Sequence, residues 1–286
     1  MLLLNGDCLE LMKTLENDSI DLIFCDLPYV DSKGKGQTSC KWNQSAIDLE
    51  KFWIQVMRIK KLHTPIFMTT TTKFGVELIN SAPKKCFFRY DVCWKKSNAV
   101  GHLSSSKMPL RIHEMIYVFY EKLPFYDLSS HTHKFIKERD SAQKNGKIYE
   151  GQGDKKIMEG KYDPPLPVSV ISDAGEEKQI IKGYHNTYNT EGRKKPIVRE
   201  KGGKYDPPLP NSMLEIKSTR GKHHSTEKPV ALMEWVLKYY SKEGDVILDP
   251  TMGSGSTGVA CKNMNREFIG IEMDEEIFKV AEGRLI

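Results

Sequence analysis

A short run of residues able to bind an amine follows the first strongly apolar segment of the chain. The segment IDLIFC (residues 20–25) leads directly into Asp26, Leu27, Pro28 and Tyr29. The Asp26 carboxylate can accept a hydrogen bond from an amine, and the Leu27 carbonyl can accept the second N–H. Pro28 stiffens the turn. The Tyr29 ring offers a face for stacking or for a cation–π contact. These four residues form a candidate catalytic group.

A glycine-rich turn near the other end of the chain is the second candidate site. It reads DPTMGSGSTG over residues 249–258 and follows the apolar residues 246–248. Glycines let the backbone approach a ligand closely, and the start of the following helix offers free N–H groups. Glu272 ends the next apolar run, where its carboxylate can accept hydrogen bonds from ribose hydroxyls. The turn therefore predicts a nucleotide-like ligand.

The glycine spacing alone leaves two classes of protein open. Gly253, Gly255 and Gly258 fit G-x-G-x-x-G, and an acidic residue follows about 20 positions later, as in nicotinamide-dependent oxidoreductases. However, such a domain opens with this turn, whereas only 28 residues follow Gly258. The remaining strands must come from the N-terminal half, so the sheet is circularly permuted. The first strand would then follow the Glu272 strand in space and bring Asp7 beside the adenine moiety of the ligand.

The apolar pattern on either side of the middle region predicts a mostly parallel α/β sheet. Predicted strands are Leu2–Leu4, Ile20–Cys25, Pro65–Thr70, Phe87–Trp94, Met115–Tyr120, Val246–Leu248 and Phe268–Glu272. Predicted helices are Cys8–Leu15 with Asp7 as its N-cap, Ala46–Leu62, Pro229–Tyr240, the segment after the glycine-rich turn to Met264, and Glu275–Leu285.

Residues 127–223 break this pattern and are rich in Gly, Pro, Asn, Lys and Tyr. Residues 131–222 contain 19 Lys and Arg against 13 Asp and Glu, a balance of +6, whereas the whole chain has a net charge of +5. The positive surplus therefore lies in this segment. Such a surface attracts phosphate backbones, although a solvated lysine-rich loop is the alternative. The sequence GKYDPPLP occurs twice, at 160–167 and 203–210. Its prolines favour a turn or an extended segment over a catalytic motif.

Composition excludes several classes of protein. No run approaches the roughly 18 apolar residues of a membrane span, and the start MLLLNGDCLELM lacks the basic region of a signal peptide. We therefore expect a cytoplasmic, intracellular protein without a membrane partner. The six cysteines form no C-x-x-C pair. They are expected to be reduced thiols, with no structural metal.

Together the two motifs and their order resemble the β group of amino DNA methyltransferases, enzymes of adenine N6 and cytosine N4. The chain is especially similar to phage and mobile-element members. The matching segments are NGDCLELM (5–12), DLIFCDLPY (21–29), CKWN (40–43), MPLRIHEMIYVFY (108–120), HSTEKPVALMEW (224–235), ILDPTMGSGSTGVAC (247–261) and FIGIEMD (268–274).

The resemblance implies a circularly permuted Rossmann-like methyltransferase sheet with an inserted, irregular target-recognition region. Residues 1–126 would form the part with the catalytic motif, 127–223 the target-recognition insert, and 224–286 the cofactor-binding part of the same domain. The implied activity is transfer of a methyl group from S-adenosyl-L-methionine to adenine N6 of a base flipped out of double-stranded DNA.

The resemblance also assigns roles to individual residues. Asp26, Leu27, Pro28 and Tyr29 would be catalytic, and Lys228 would lie near the methionine carboxylate of the cofactor. Further cofactor contacts would come from Asp7, Asp249, Thr251, Gly253, Ser254, Gly255 and Glu272.

The chain departs from the family pattern at two positions. Leu27 replaces the usual first proline of the catalytic motif, which preserves the backbone carbonyl. Val30 stands where smaller residues are common, which would reshape the mouth of the pocket. Asp26, rather than Ser, at the first position of the motif favours adenine over cytosine.

DNA contacts are expected from basic residues outside the two motifs. These are Lys33, Lys35, Arg193, Lys194 and Lys195. The family often forms homodimers, so a homodimer and a cognate restriction endonuclease are both open as partners. Cytosine-N4 methylation, a nicotinamide-dependent oxidoreductase and a non-catalytic DNA-binding relative are the alternative functions.

Overall fold

One β-sheet positions both motifs and includes most of the described strands. The structure, a computed structural model, describes residues 1–30, 46–130, 132–133, 162–163, 170–172 and 227–286. The strands are β1 (Leu2–Asn5), β2 (Leu22–Cys25), β3 (Ile66–Thr70), β4 (Phe88–Val100), β5 (Arg111–Phe119), β6 (Thr132–His133), β7 (Tyr162–Asp163), β8 (Val170–Ser172), β9 (Val246–Asp249) and β10 (Glu267–Glu272). The helices are α1 (Cys8–Leu11), α2 (Leu49–Ile59), α3 (Thr72–Ser81), α4 (Val230–Tyr240), α5 (Ser256–Asn263) and α6 (Glu275–Leu285).

Eight of these strands form one sheet in the order β1-β10-β9-β2-β3-β5-β4-β8. Neighbouring strands from β1 to β3 are parallel. β5 is antiparallel to both β3 and β4, and β8 pairs parallel with β4. The first strand of the chain therefore lies beside the last one. This confirms the predicted circular permutation and the predicted mostly parallel sheet.

Helices cover both faces of the sheet because the central strands are buried on both faces. All four residues of β2 and all five of β3 are buried. Alternate side chains point to opposite faces, so they divide between two apolar clusters. One cluster contains Phe52, Trp53 and Phe74 from α2 and α3. The other includes buried residues of α4, α5 and α6. This double cover is typical of parallel sheets.

Side-chain caps fix where several helices begin. Asp7 caps α1 by accepting a hydrogen bond from the Leu9 N–H at 2.7 Å, as predicted. Asp48, Thr71 and Asp274 cap α2, α3 and α6 in the same way. A cap satisfies backbone N–H groups that lack a partner inside the helix. None of the helices within the described ranges is long and apolar enough to cross a bilayer.

The structure differs from the sequence prediction in three places. Helix α3 (Thr72–Ser81) was not predicted. β4 continues past the predicted end at Trp94 to Val100. The predicted helix Cys8–Leu15 divides into α1 and a 3₁₀ turn at Met12–Thr14.

The region expected to be an insert is joined to the main sheet. β8 lies within residues 127–223, yet it pairs with β4 at the sheet edge. In the first GKYDPPLP copy, Tyr162–Asp163 pairs with Thr132–His133. Those two residues are therefore strand, and the prolines that follow them lie outside the described residues. The second copy, at 203–210, lies outside the described residues.

Two helical glycines give a matched test of the contacts between helix and sheet. A Cβ on Gly258 in α5 would lie 2.7 Å from Leu285 Cδ1 and 2.8 Å from Phe268 Cε1. A Cβ on Gly283 in α6 would meet nothing within 4 Å. Gly258→Ala should therefore lower the free energy of unfolding by about 1–3 kcal/mol through overpacking.

Gly283→Ala is the control, because alanine is the better helix former by about 1 kcal/mol. It should raise the free energy of unfolding by up to about that amount. Urea denaturation measures both variants. Equal stabilisation by the two substitutions would contradict the described contact of α5 with β10 and α6.

Candidate active site

The two motifs meet because their strands are neighbours. β2 pairs with β9 in parallel, with Ile23 opposite Leu248. The carboxyl ends of both strands therefore lie at the same edge of the sheet, where open α/β sheets bind ligands. The Asp26 N–H donates to the Thr251 hydroxyl across 3.2 Å. Residues 225 positions apart are thus joined directly, as the permuted arrangement predicts.

Hydrogen bonds hold the Asp26 carboxylate in one orientation. Its Oδ1 accepts from the Tyr29 hydroxyl at 2.8 Å and from the Thr69 hydroxyl. Its Oδ2 accepts from the Lys228 ammonium. The Asp26 side chain is 31% exposed, whereas that of Lys228 is 12% exposed. The carboxylate is therefore fixed from the protein side and remains reachable from outside.

The Tyr29 hydroxyl links two carboxylates. It lies 2.8 Å from Asp26 Oδ1 and 2.6 Å from Glu114 Oε1. Its ring is buried and its centroid lies 5.7 Å from that of Phe74. Burial, followed by the charges of Asp26 and Glu114, raises the pKa of Tyr29 well above its usual range. Tyr29 therefore remains a protonated donor, and its single hydrogen is shared between two acceptors.

Two lysines balance the two carboxylates. Glu114 Oε2 lies 2.7 Å from Lys96 Nζ, and Glu114 Oε1 lies 3.7 Å from Lys228 Nζ. Burial alone would raise the pKa of Glu114, but the Lys228 and Lys96 charges bring it below its usual range. Burial alone would lower the pKa of Lys228, but Asp26 and Glu114 raise it overall. Glu114 and Lys228 therefore both carry charge at neutral pH.

This network goes beyond the sequence expectation for Lys228. Lys228 was expected near the methionine carboxylate of a cofactor, which stays a prediction, and its ion pair with Asp26 was not predicted. Sequence reasoning missed Thr69 and gave Glu114 no role. The available signal for Thr69 was its position: it ends the apolar run of β3, the strand beside β2.

The glycine-rich turn and Glu272, the last residue of β10, lie next to each other as predicted. The Gly253 N–H donates to Glu272 Oε2 at 3.0 Å, and the Asp274 N–H donates to Oε1 at 2.8 Å. Gly253 has φ +52°, and a Cβ there would meet nothing within 4 Å. Each carboxylate oxygen keeps a second lone pair for a hydroxyl group. The donors, acceptors and open space at Gly253 therefore fit a nucleotide-like group.

The next two residues of the turn make contacts inside the protein. Arg284 donates to the Ser254 carbonyl at 2.7 Å and to its hydroxyl at 3.1 Å. Gly255 has φ +83°, and a Cβ there would lie 3.0 Å from Leu285 Cδ1. Both residues were expected to contact a cofactor. Their described contacts are with α6, so these contacts hold the glycine-rich turn against that helix.

Glu227 ties the segment before α4 to the glycine-rich turn and was missed by sequence reasoning. Its Oε1 lies 2.8 Å from Arg284 Nη1 and accepts from the Ser256 hydroxyl at 3.2 Å. The adjacent Lys228 binds Asp26. Glu227 and Lys228, two adjacent opposite charges before Pro229, therefore connect the two motifs. These adjacent charges were the feature of the sequence that could have indicated a role for Glu227.

Asp7 lies at the same sheet edge, beyond β1. The neighbouring Gly6 N–H donates to the Glu272 carbonyl at 3.0 Å, which joins the ends of β1 and β10. One oxygen of the Asp7 carboxylate caps α1 through Leu9. The structure therefore brings Asp7, Glu272 and Asp26 to one edge, in the order of their strands.

The remaining residues of the catalytic motif form a rigid turn. The Leu27 and Val30 side chains are buried, and the Val30 N–H donates to the Pro28 carbonyl at 2.9 Å. Cys25 is fully buried, and burial, followed by the charge of Asp249, raises the pKa of its thiol well above the usual range. Cys25 is thus a core residue, as predicted, and not a nucleophile.

The expected DNA-contacting residues lie outside the described part of the chain. These are Lys33, Lys35, Arg193, Lys194 and Lys195. Within the described ranges, no group of three or more His, Cys, Asp and Glu side chains could hold a metal ion.

Comparison with protein families agrees with this geometry. A family model described as DNA methylase of the N6/N4 type matches residues 20–283. Type II methyltransferase M.HpaI of Haemophilus parainfluenzae is 24% identical over 99% of this chain and 73% of its own length. Type II methyltransferase M.HinfI of Haemophilus influenzae is 25% identical over 99% of this chain and 67% of its own length.

Solved structures share the fold over nearly the whole chain. The M1.HpyAVI–SAM complex superposes with a TM-score of 0.54 at 18% identity, covering 99% of both chains. The cytosine-N4-specific PvuII DNA methyltransferase gives a TM-score of 0.60 at 14% identity, covering 99% of this chain and 86% of its own. The predicted fold class is confirmed.

Asp249, which ends β9, provides a test through pH. Its carboxylate accepts from the Thr251 N–H at 3.1 Å and from the Thr257 hydroxyl at 2.6 Å. Burial raises its pKa to about 7. Between about pH 4 and 7 the folded state therefore holds a proton that the unfolded state has released. The free energy of unfolding should fall as pH rises through this window.

Asp249→Asn should remove that part of the pH dependence. Urea denaturation between about pH 4 and 7, the window where the two states differ, would show a shallower decline for the variant than for the wild type. Parallel pH profiles would contradict a buried carboxylate with a raised pKa at the end of β9.

Proposed function

This chain belongs to the N6/N4 DNA methylase family, and we propose that it transfers a methyl group from S-adenosyl-L-methionine to adenine N6 of a base flipped out of duplex DNA. The observation that carries the proposal is the position of the Asp26 carboxylate. It stands, partly exposed, at the sheet edge where β2 meets the strand of the glycine-rich turn.

Asp26 suits a reaction in which an amine must be oriented rather than activated by a covalent step. The exocyclic amine donates one N–H to the Asp26 carboxylate and the other to the Leu27 carbonyl. Its lone pair then points toward the neighbouring pocket. The nitrogen would gain positive charge as the N–C bond forms and the S–C bond of the sulfonium breaks, and the fixed negative charge of Asp26 would stabilise that change. The sulfur would leave as a neutral thioether, and the methylated amine would then lose one proton to water. Positioning supplies much of the remaining acceleration.

The residues around Gly253 fit the cofactor. S-adenosyl-L-methionine supplies an electrophilic methyl group on a sulfonium. Glu272 accepts hydrogen bonds from the ribose hydroxyls, and Asp7 lies on the adenine side. Gly253 gives the cofactor open space. Asp249, Thr251, Ser254 and Gly255 hold the turn in shape through the hydrogen bonds and contacts described above.

Adenine is preferred over cytosine because of the first residue of the catalytic motif. Asp26 supplies a full negative charge where serine, the other residue found there in the family, would supply only a hydroxyl. The relatives include a cytosine-N4-specific enzyme, so N4 methylation is the second candidate. Family membership disfavours the oxidoreductase, and the hydrogen-bonded Asp26 group disfavours a non-catalytic relative.

The basic middle region is proposed to hold the DNA. Residues 127–223 would form the target-recognition region between the methyltransferase parts 1–126 and 224–286. Lys33 and Lys35, with residues 193–195, would bind phosphates and fix the register of the protein on the duplex. The target amine is out of reach inside a duplex, so the base is flipped at a cost of a few kcal/mol.

Two protein partners belong to the same proposal. The relatives M.HpaI and M.HinfI are type II methyltransferases, and such enzymes protect DNA against a restriction endonuclease of the same specificity. We therefore propose a cognate endonuclease that recognises the same site. We also propose that the chain works as a homodimer.

The catalytic assignment can be tested by substituting Asp26, with Asp21 at the other end of β2 as the control. Asp26→Asn replaces an acceptor oxygen by an amide donor that cannot bind the amine. It should lower methyl transfer by at least about 100-fold. The affinity for S-adenosyl-L-methionine should stay within about threefold, because Asp26 contacts the glycine-rich turn through its backbone N–H, which the substitution keeps. Tritium transfer to DNA measures the rate, and mass spectrometry of digested nucleosides identifies the product as N6-methyladenine.

The control is Asp21→Asn. Asp21 precedes β2 at its opposite end, where it binds Lys61 at 2.7 Å and the Val246 N–H at 3.0 Å. This variant should lose some stability and retain the wild-type transfer rate per folded molecule. Wild-type transfer by Asp26→Asn would refute the catalytic role. N4-methylcytosine as the product would replace the adenine assignment by the second candidate.

Cofactor binding is tested in the same way along β10. Glu272→Gln removes a charged acceptor for the ribose and should weaken S-adenosyl-L-methionine binding by about tenfold. Glu267→Gln, at the exposed start of the same strand, should leave binding unchanged. Isothermal titration calorimetry measures both constants. Equal affinities for the two variants would place the ribose elsewhere.

A further inference from the structure

The two oxygens of the Asp26 carboxylate are bound by different kinds of side chain, and the side chain on Oδ2 can move away. On Oδ1 it holds the hydroxyls of Thr69 and Tyr29, both on buried side chains. On Oδ2 it holds the ammonium of Lys228, which ends a long flexible side chain. The Oδ2 side faces a group that donates N–H hydrogens, as the target amine does.

An ammonium at this position opposes the proposed reaction. The amine nitrogen becomes positive as the N–C bond forms, and the negative charge of Asp26 favours that change. A lysine bonded to the same carboxylate cancels its field and repels the developing charge. Lys228 is therefore suited to the resting site and unsuited to the reacting one.

Glu114 provides a second position for the same lysine. Its Oε1 is 3.7 Å from Lys228 Nζ, so a movement of about 1 Å would give an ordinary hydrogen bond. Glu114 is buried, and its Oε2 is already bound by Lys96 at 2.7 Å. A Lys228 that moves to Glu114 thus keeps a buried counter-charge.

Tyr29 couples the two carboxylates. Its hydroxyl has one hydrogen and lies within hydrogen-bonding distance of both Asp26 and Glu114. When Lys228 binds Glu114, that hydrogen can go wholly to Asp26. The exchange leaves each carboxylate with a donor, and no buried charge loses its partner.

We infer that Lys228 occupies the amine-binding side of Asp26 in the resting enzyme and is transferred to Glu114 when the target base arrives. Glu114 is a positioning residue that acts through Lys228. This inference rests on the proposed function, because it names the group that the amine displaces. It also explains why a buried glutamate and a buried lysine stand beside the catalytic aspartate.

The inference predicts an antagonistic pair of substitutions. Glu114→Gln leaves Asp26 as the only carboxylate paired with Lys228 among the described residues, so the amine position is blocked. The single-turnover rate of methyl transfer should fall about tenfold or more. Adding Lys228→Met removes the blocking group, so the double variant should be at least about fivefold faster than Glu114→Gln alone. Affinities for DNA and S-adenosyl-L-methionine should change by less than about threefold throughout, because the exchange affects neither docking step.

A matched control lies at the opposite edge of the sheet. Lys60 is buried and binds Glu121 at 2.9 Å, outside the site. Lys60→Met and Glu121→Gln should reduce stability and leave the transfer rate per folded molecule unchanged, singly and together. Thermal melting establishes the folded fraction of every variant.

The outcomes separate the inference from the proposed function. A double variant as slow as Glu114→Gln, or slower, overturns the inference and gives the pair a structural role. Loss of cofactor affinity by more than about tenfold in Lys228→Met, an estimate for one charged hydrogen bond, also overturns it and returns Lys228 to the cofactor carboxylate. Absence of methyl transfer by the wild-type protein would instead refute the proposed function.

Discussion

Parallel pairing between β2 and β9 is the contact on which the site depends. It places the turn after Cys25 next to the turn after Leu248 and lets the Asp26 N–H bind the Thr251 hydroxyl. The pairing is specified by burial: both strands are covered on both faces, so a slip of one residue would move each side chain into the cluster on the other face. The same burial that stabilises the sheet therefore sets the distance between the Asp26 carboxylate and the glycine-rich turn.

Buried charges are the second constraint, and they are tolerated because they are balanced. Asp26 and Glu114 face Lys228 and Lys96, with Tyr29 between the carboxylates. Removing one partner from such a group leaves an uncompensated buried charge, which typically costs 3–5 kcal/mol, on the order of a third of a domain's stability. A network with this cost contributes more to orientation than to stability. In the proposed mechanism it holds a carboxylate ready for an amine and keeps it neutralised until one arrives.

The sequence predicted the permuted sheet and most strands because apolar runs and their order carry that information. It also predicted that Asp26, Gly253 and Glu272 lie at one edge of the sheet. It failed for helix α3, where Gly75 interrupts the pattern. A glycine fits at position 75 because the Tyr117 ring occupies the space that a Cβ would need. The Lys228–Asp26 pair was not predicted, and Thr69 and Glu114 were not assigned to the site, because side-chain pairs between distant segments leave no periodic signal in one sequence.

A crystal structure with S-adenosyl-L-methionine bound is the most direct test of the account. One amine must fit between the Asp26 carboxylate and the transferable methyl group. A hydrogen bond of about 3 Å and an approach of about 3–3.5 Å allow at most about 6.5 Å between carboxylate oxygen and methyl carbon. The account predicts that separation, with the ribose at Glu272. A methyl group more than about 10 Å from Asp26, an estimate well beyond the reach of one amine, would contradict it.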